Sequence, residues 1–145
     1  MKKNSHNKLF IVVSNFYPEL SSSLLDDCVS YMHQNGYKNS DIQVYRVSGV
    51  FELPGTVNLI AKYHSPEAII ALGVVIKGET PHFDFISSAC ANTISTLTIK
   101  NKFPIIFGVL TTNSYKQASI RSQEKGIDIA RTAIESIDTY KKIKS

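Results

Sequence analysis

A chain of 145 residues suffices for one domain with a real core, because a domain of this size hides roughly 68–70% of its unfolded surface. A hydrophobic fraction of 43% beside a charged fraction of 19% excludes an intrinsically disordered chain, and no apolar run reaches the roughly 18–20 residues of a membrane span. The net charge of +4 does not point to nucleic acid: Lys2, Lys3, Lys8, Lys141, Lys142 and Lys144 sit at the chain ends, and no RNA-binding or helix-turn-helix pattern accompanies them.

In chain order the periodicity alternates between strand and helix. Leu9–Val13 (LFIVV) is a short continuous apolar run, the pattern of a strand buried on both faces. Pro18 fits the first turn of a helix; Leu20, Leu24, Leu25, Cys28, Val29 and Met32 follow at helical spacing, and Gly36 marks the stop. Ile42–Val47 alternates and is rich in β-branched residues, which predicts a second strand. Pro54 opens a second helix with Val57, Ile60 and Ala61 inward. Ala68–Ile76 (AIIALGVVI) carries the strongest buried-strand signal in the chain. After a polar loop, Phe85–Ile99 reads as a helix holding Ile86, Ala89, Cys90, Ile94 and Leu97. Pro104–Leu110 is a fourth buried strand. Two helices are predicted to close the chain, about Ser114–Gln123 and Ile127–Ile137, with residues 1–8 and 139–145 as frayed tails. With no linker, repeat or low-complexity stretch, 1–145 reads as a single domain.

Strands alternating with helices imply right-handed crossovers onto a parallel sheet. The expected fold is α/β: a three-layer α/β/α sandwich around a four-stranded parallel sheet, resembling the flavodoxin-like arrangement. In such sheets ligands bind beyond the carboxyl ends of the strands. That rule singles out Ser14–Tyr17, Ser48–Glu52, Lys77–Asp84 and Thr111–Asn113, all rich in polar or aromatic groups.

The loop after the third strand reads KGETPHFDF, Lys77 to Phe85. Gly78 frees the backbone to approach a ligand. Thr80 followed by Pro81 predicts a hydroxyl cap and a proline at the first helical position, with His82 in the opening turn. Unpaired N–H groups of such a turn can hold a phosphate, and the helix dipole favours the neutral imidazole, the form that accepts a proton. The alternative is a solvated loop histidine. His6, His33 and His64, in tail or helix-end contexts, carry no such signal. After the second strand comes VSGVFELP, Val47 to Pro54, where Phe51 and Glu52 face the crevice. Phe16 ends the first strand nearby. Two rings beside a crevice can stack on a flat heterocycle while Glu52 accepts from ring N–H donors; the alternative makes both phenylalanines core residues and Glu52 a surface carboxylate. Arg121 can grip a phosphate by its planar fork and Lys125 as a point charge, or both are ordinary surface cations. Phe107, inside the fourth strand, reads as core. Cys28 and Cys90 lie in apolar helical patterns without metal-ligand spacing and read as buried small hydrophobes of a reducing cytosol, in preference to a thiol nucleophile or a disulfide. The amino-terminal segment lacks an apolar signal core, which argues against export and for a cytoplasmic protein. From the residues alone the reading reaches a crevice for an aromatic heterocycle and a phosphate, with one histidine for proton transfer, and no named reaction.

Five ordered motifs together resemble the lumazine synthase family: IVVSNFY at 11–17, VSGVFELP at 47–54, ALGVVIKGETPHFDF at 71–85, PIIFGVLTT at 104–112 and the 121–126 segment. The resemblance covers Leu9 to about Ile137. It implies condensation of 5-amino-6-(D-ribitylamino)uracil with 3,4-dihydroxy-2-butanone 4-phosphate to 6,7-dimethyl-8-ribityllumazine, a step of riboflavin biosynthesis that needs no metal or organic cofactor. It also implies the roles of the residues. Phe16 stacks on the pyrimidine, while Val50, Phe51, Glu52, Val74, Val75 and Ile76 line the pyrimidine and ribityl pocket, largely through main-chain groups. Glu79, Thr80 and Arg121 hold the butanone phosphate with Lys125 assisting, and His82 shuttles protons. Phe107 covers the uracil from a neighbouring subunit, since family sites lie between protomers of a homopentamer; riboflavin synthase is the implied partner enzyme. The sequence departs from the family pattern at Tyr17, where many members have asparagine, and in the short stretch from Arg121 to Lys125, which lacks the glycine-rich insert of shell-forming members. The shortening implies a pentamer or a pair of pentamers in place of a capsid. Two further readings are a lumazine-dismutating riboflavin synthase of the related type and a flavin- or lumazine-binding protein without catalysis.

Overall fold

The computed structural model describes residues 8–79 and 81–145. Four strands, β1 (Leu9–Ser14), β2 (Ile42–Val47), β3 (Ala68–Ile76) and β4 (Ile105–Thr112), alternate with four helices, α1 (Pro18–Gln34), α2 (Leu53–Tyr63), α3 (His82–Lys100) and α4 (Tyr115–Lys144). The strands form one all-parallel sheet in the order β2-β1-β3-β4. Side chains of successive strand residues point to opposite faces, so the central strands feed two cores. Leu9, Ile11, Val13, Ile70 and Leu72 pack under α1 and α4, whereas Phe10, Val12, Ile69 and Ala71 pack under α2 and α3. This is the expected three-layer sandwich. β1 is buried along its whole length because both its faces are covered, which is why it reads as an uninterrupted apolar run.

Local signals set most boundaries. Pro18 stands at the start of α1, where its missing N–H costs nothing. At the other end Gly36 takes φ 92°, and the N–H groups of Gly36 and Tyr37 donate to the carbonyls of His33 (3.2 Å) and Met32 (3.1 Å), closing the helix with two otherwise orphaned acceptors satisfied. β2 and β3 run over the predicted residues. Cys28 and Cys90 are buried free thiols; burial, joined at Cys28 by the charge of Asp27, pushes them up to about 12 and about 11, so neither is a thiolate at neutral pH.

Four expectations need correction. The two helices predicted at the carboxyl end are one, Tyr115–Lys144, running through Gly126. Gly126 is a notch: a Cβ there would stand 2.7 Å from the Asp27 Cβ and 2.8 Å from the Leu24 carbonyl oxygen, so its bareness lets α4 lie against α1. Residues 139–144, expected as tail, continue that helix, and the Lys144 Nζ donates to the Lys102 carbonyl at 2.8 Å. β4 extends past Leu110 to Thr112, because Val75 and Ile76 of β3 give Thr111 and Thr112 pairing partners. Pro81 is the residue before α3, not its first helical residue; its carbonyl accepts from the N–H groups of Asp84 (3.1 Å) and Phe85 (3.2 Å). Residues 1–7 of the predicted amino-terminal tail and the predicted Thr80 cap lie outside the described residues, and Lys8, expected in that tail, accepts at its carbonyl from the Glu67 N–H at 2.8 Å.

Candidate active site

The site is built where the central strands end unequally. β1 pairs with β3 only as far as Val13 with Leu72, whereas β3 goes on pairing with β4 to Ile76. Residues 74–76 therefore run on past Ser14, the last residue of β1, and line a cleft there. A strand edge of this kind offers main-chain donors and acceptors to a ligand. Gly73 permits the next element to come close: a Cβ there would meet the Val50 Cγ2 at 2.8 Å, so the 3₁₀ turn Val50–Glu52 sits directly against the sheet.

Over this overhang opens a cleft of about 680 Å³, within the usual range for small-molecule sites. Phe16, Val50, Phe51, Glu52, Val74, Val75, Ile76 and His82 all line it. The two rings are not core residues: Phe16 is 68% exposed and Phe51 63%, far beyond what a packed aromatic shows. His82 is the first residue of α3 and opens onto the same space. Three stretches of chain (residues 16–17, 48–52 and 74–86) thus converge on a wall of apolar side chains, a strand edge, one carboxylate and one imidazole. Such a wall suits a flat ring with polar edges.

Four predicted residues lie away from this cleft within one chain. Glu79 is exposed in the loop beside the cleft residue Gly78, but does not itself line it. Phe107 sits in β4 opposite Ala71, three residues below the Val74–Leu110 pair; at about 3.3 Å per residue it is roughly 10 Å down the strand from the cleft. It is 39% exposed on an edge strand and so is not the core residue its pattern suggested. Arg121, in the second turn of α4, donates to the Thr111 carbonyl at 3.4 Å, which tethers its guanidinium at the carboxyl end of β4. Lys125 lies one turn further along α4, about 6 Å towards the amino ends of the strands, and pairs with Asp128 at 3.9 Å. Thr80 is outside the described residues.

The residue reading missed part of the cleft wall. Tyr17, Phe83, Phe85 and Ile86 also line it. The last three had a legible signal: in HFDFI, apolar residues crowd the first turn of a helix whose amino end points at the crevice. Tyr17 fell inside the singled-out segment Ser14–Tyr17, but nothing in the sequence told its ring from that of a solvated loop residue. No group of three or more His, Cys, Asp or Glu side chains able to hold a metal occurs among the described residues, and no helix among them is long and apolar enough to cross a membrane.

Residues 6–141 match the family model described as 6,7-dimethyl-8-ribityllumazine synthase. Two curated relatives bear the same name. The protein of Syntrophus aciditrophicus (strain SB) is 41% identical over 140 residues, 94% of this chain and 91% of the relative. That of Chlorobium limicola is 36% identical over 135 residues, 90% of this chain and 87% of the relative.

Proposed function

The chain belongs to the 6,7-dimethyl-8-ribityllumazine synthase family, and from that membership we propose that it is a transferase of riboflavin biosynthesis. It condenses 5-amino-6-(D-ribitylamino)uracil with 3,4-dihydroxy-2-butanone 4-phosphate to 6,7-dimethyl-8-ribityllumazine, with release of phosphate and water. The observation that carries this reading to the residue level is the meeting of Phe16, Phe51 and His82 in one cleft beside the overhanging edge of β3. On this reading Phe16 stacks on the pyrimidine, and Val50, Phe51, Glu52 and residues 74–76 hold its polar edges and the ribityl chain. Stacking keeps the nucleophilic amine near the ketone, which is worth more than any single proton transfer in a reaction between two bound molecules. His82 moves protons: it relays them as amine and ketone become an imine and water, and it takes the proton from carbon as the phosphate leaves. Arg121 and Glu79-Thr80, with Lys125 assisting, hold the phosphate and stabilise it as it departs. The reaction is cytoplasmic on this reading, and riboflavin synthase is the enzyme that takes up the product.

The test is direct. Purified protein mixed with both substrates is expected to give fluorescent lumazine and free phosphate in equal amounts. Lumazine supplied alone is expected to remain unchanged; its conversion to riboflavin would favour the dismutating enzyme, and tight lumazine binding without turnover would favour a binding protein.

The site is completed by a neighbouring copy on this proposal. On this reading Phe107 covers the uracil of the next subunit, and its exposure on the edge strand, roughly 10 Å down that strand from its own cleft, supports the role. The outer helices carry further exposed apolar side chains, among them Tyr63 and Ile99. The short stretch from Arg121 to Lys125, which α4 crosses as continuous helix, supports a pentamer or a pair of pentamers. Light scattering is expected to give about five or ten chain masses; a capsid-sized particle would overturn this.

A further inference from the structure

Tyr17 occupies a junction that no step of the reaction uses. Its carbonyl accepts the first hydrogen bond of α1, from the Ser21 N–H at 3.0 Å. Its half-buried ring lines the cleft on one side and packs against the α1–α4 core on the other, so it bridges the carboxyl edge of the sheet. Two ring contacts hold it there. The Phe16 ring meets it edge-on, with centroids 5.0 Å apart and planes at 81°. The Tyr115 ring meets it at 6.2 Å and 70°. Tyr115, the first residue of α4, donates its hydroxyl to Glu19 Oε1 at 2.5 Å, tying the first turn of α4 to the first turn of α1. That bond holds the Glu19 carboxyl below its ordinary range and the Tyr115 phenol above its own, so a charged acceptor and an intact donor persist at neutral pH.

The chain of contacts ends on Phe16, whose ring stands largely in solvent and, among the described residues, touches no other ring. An exposed ring free to turn must be immobilised each time a heterocycle stacks on it, and that ordering weakens binding. A ring already held edge-on by a neighbour loses less freedom. We propose that Tyr17, braced by Tyr115 and Glu19, is a positioning residue that fixes the plane of Phe16 and thereby sets affinity for the pyrimidine substrate. The inference rests on the lumazine synthase reading of the same cleft.

The experiment compares Tyr17→Ala, Tyr17→Phe and Tyr115→Ala with the unmodified enzyme, by steady-state kinetics on both substrates and by fluorescence titration with 6,7-dimethyl-8-ribityllumazine. Tyr17→Ala is expected to raise KM for the ribitylaminouracil and Kd for the lumazine roughly 3- to 10-fold, the scale of one aromatic pair with one ordered side chain. The KM for the butanone phosphate and kcat stay within about twofold, the signature of lost ground-state binding. Tyr17→Phe, which keeps both ring contacts, restores the unmodified values. Tyr115→Ala, outside the cleft, moves the same two constants in the same direction by a smaller factor, and it decides the matter if Tyr17→Ala does not fold. An unmodified enzyme that makes lumazine, with both alanine variants leaving the pyrimidine KM unmoved or lowering kcat alone, would overturn the brace and spare the function. Absence of lumazine formation by the unmodified enzyme would overturn both.

Discussion

Replacing His82 by alanine is expected to lower kcat by on the order of 10²-fold while leaving measurable turnover. Proton transfer by a positioned side chain contributes about 10² to 10⁴ in rate, and the lower end applies where water reaches the reacting groups. His82 is exposed at the first turn of α3 and faces an open cleft, so solvent can substitute for part of its work. The remaining acceleration comes from holding two substrates together, which the variant keeps. The effect falls on kcat and kcat/KM alike, as for an interaction made in the transition state. Arg121→Ala gives the opposite split: removing a charge-assisted contact to phosphate costs about 1.5–3 kcal/mol, or roughly 10- to 150-fold, and appears mainly as a higher KM for the butanone phosphate. Steady-state kinetics with each substrate varied in turn checks both. An unchanged phosphate-substrate KM in the Arg121 variant would remove that residue from the site, and an unchanged kcat in the His82 variant would remove the proton shuttle.

Gly126→Leu is expected to destabilise the fold by about 3 kcal/mol, the upper end of what overpacking a tight contact costs. In a helix interior, replacing glycine ordinarily gains about 1 kcal/mol of backbone preference. Here the first added atom already meets the Asp27 Cβ at 2.7 Å and the Leu24 carbonyl oxygen at 2.8 Å. The carbonyl belongs to the backbone of α1 and cannot swing aside, so the two helices must separate along the contact that closes one of the two cores. Gly126→Ala is expected to lose stability as well, by about 1 kcal/mol, despite the better helix former. Urea unfolding monitored by circular dichroism reads both, with Glu124→Ala on the exposed face as the neutral control. A stabilised Gly126→Ala would show that α1 and α4 are free to move apart.

Gly126 also marks where reading along the chain stops working. A glycine between two amphipathic stretches is a reasonable break when only neighbours in sequence are considered. Its actual reason for being glycine is the backbone of a helix about a hundred residues earlier. Phe107 failed in a related way: its apolar neighbours made it look buried, but β4 is an edge strand and leaves it partly open. Phe16 and Phe51 went the other way, since their alternatives as core residues were settled only by how much of each ring the fold leaves uncovered.

By itself the sequence determined the alternation of strands and helices, the three layers, and the end of the sheet where the cleft opens. These follow from local periodicity and from the handedness of crossovers, which need no knowledge of distant partners. The lumazine synthase motifs were legible for the same reason, being contiguous runs. Only the tertiary structure decided that β3 overhangs β1, that Phe107, Arg121 and Lys125 stand outside the chain's own cleft, and that Tyr17 joins that cleft to α4. Each is a matter of where one segment ends against another, and contacts between segments far apart along the chain leave no periodic trace in either of them.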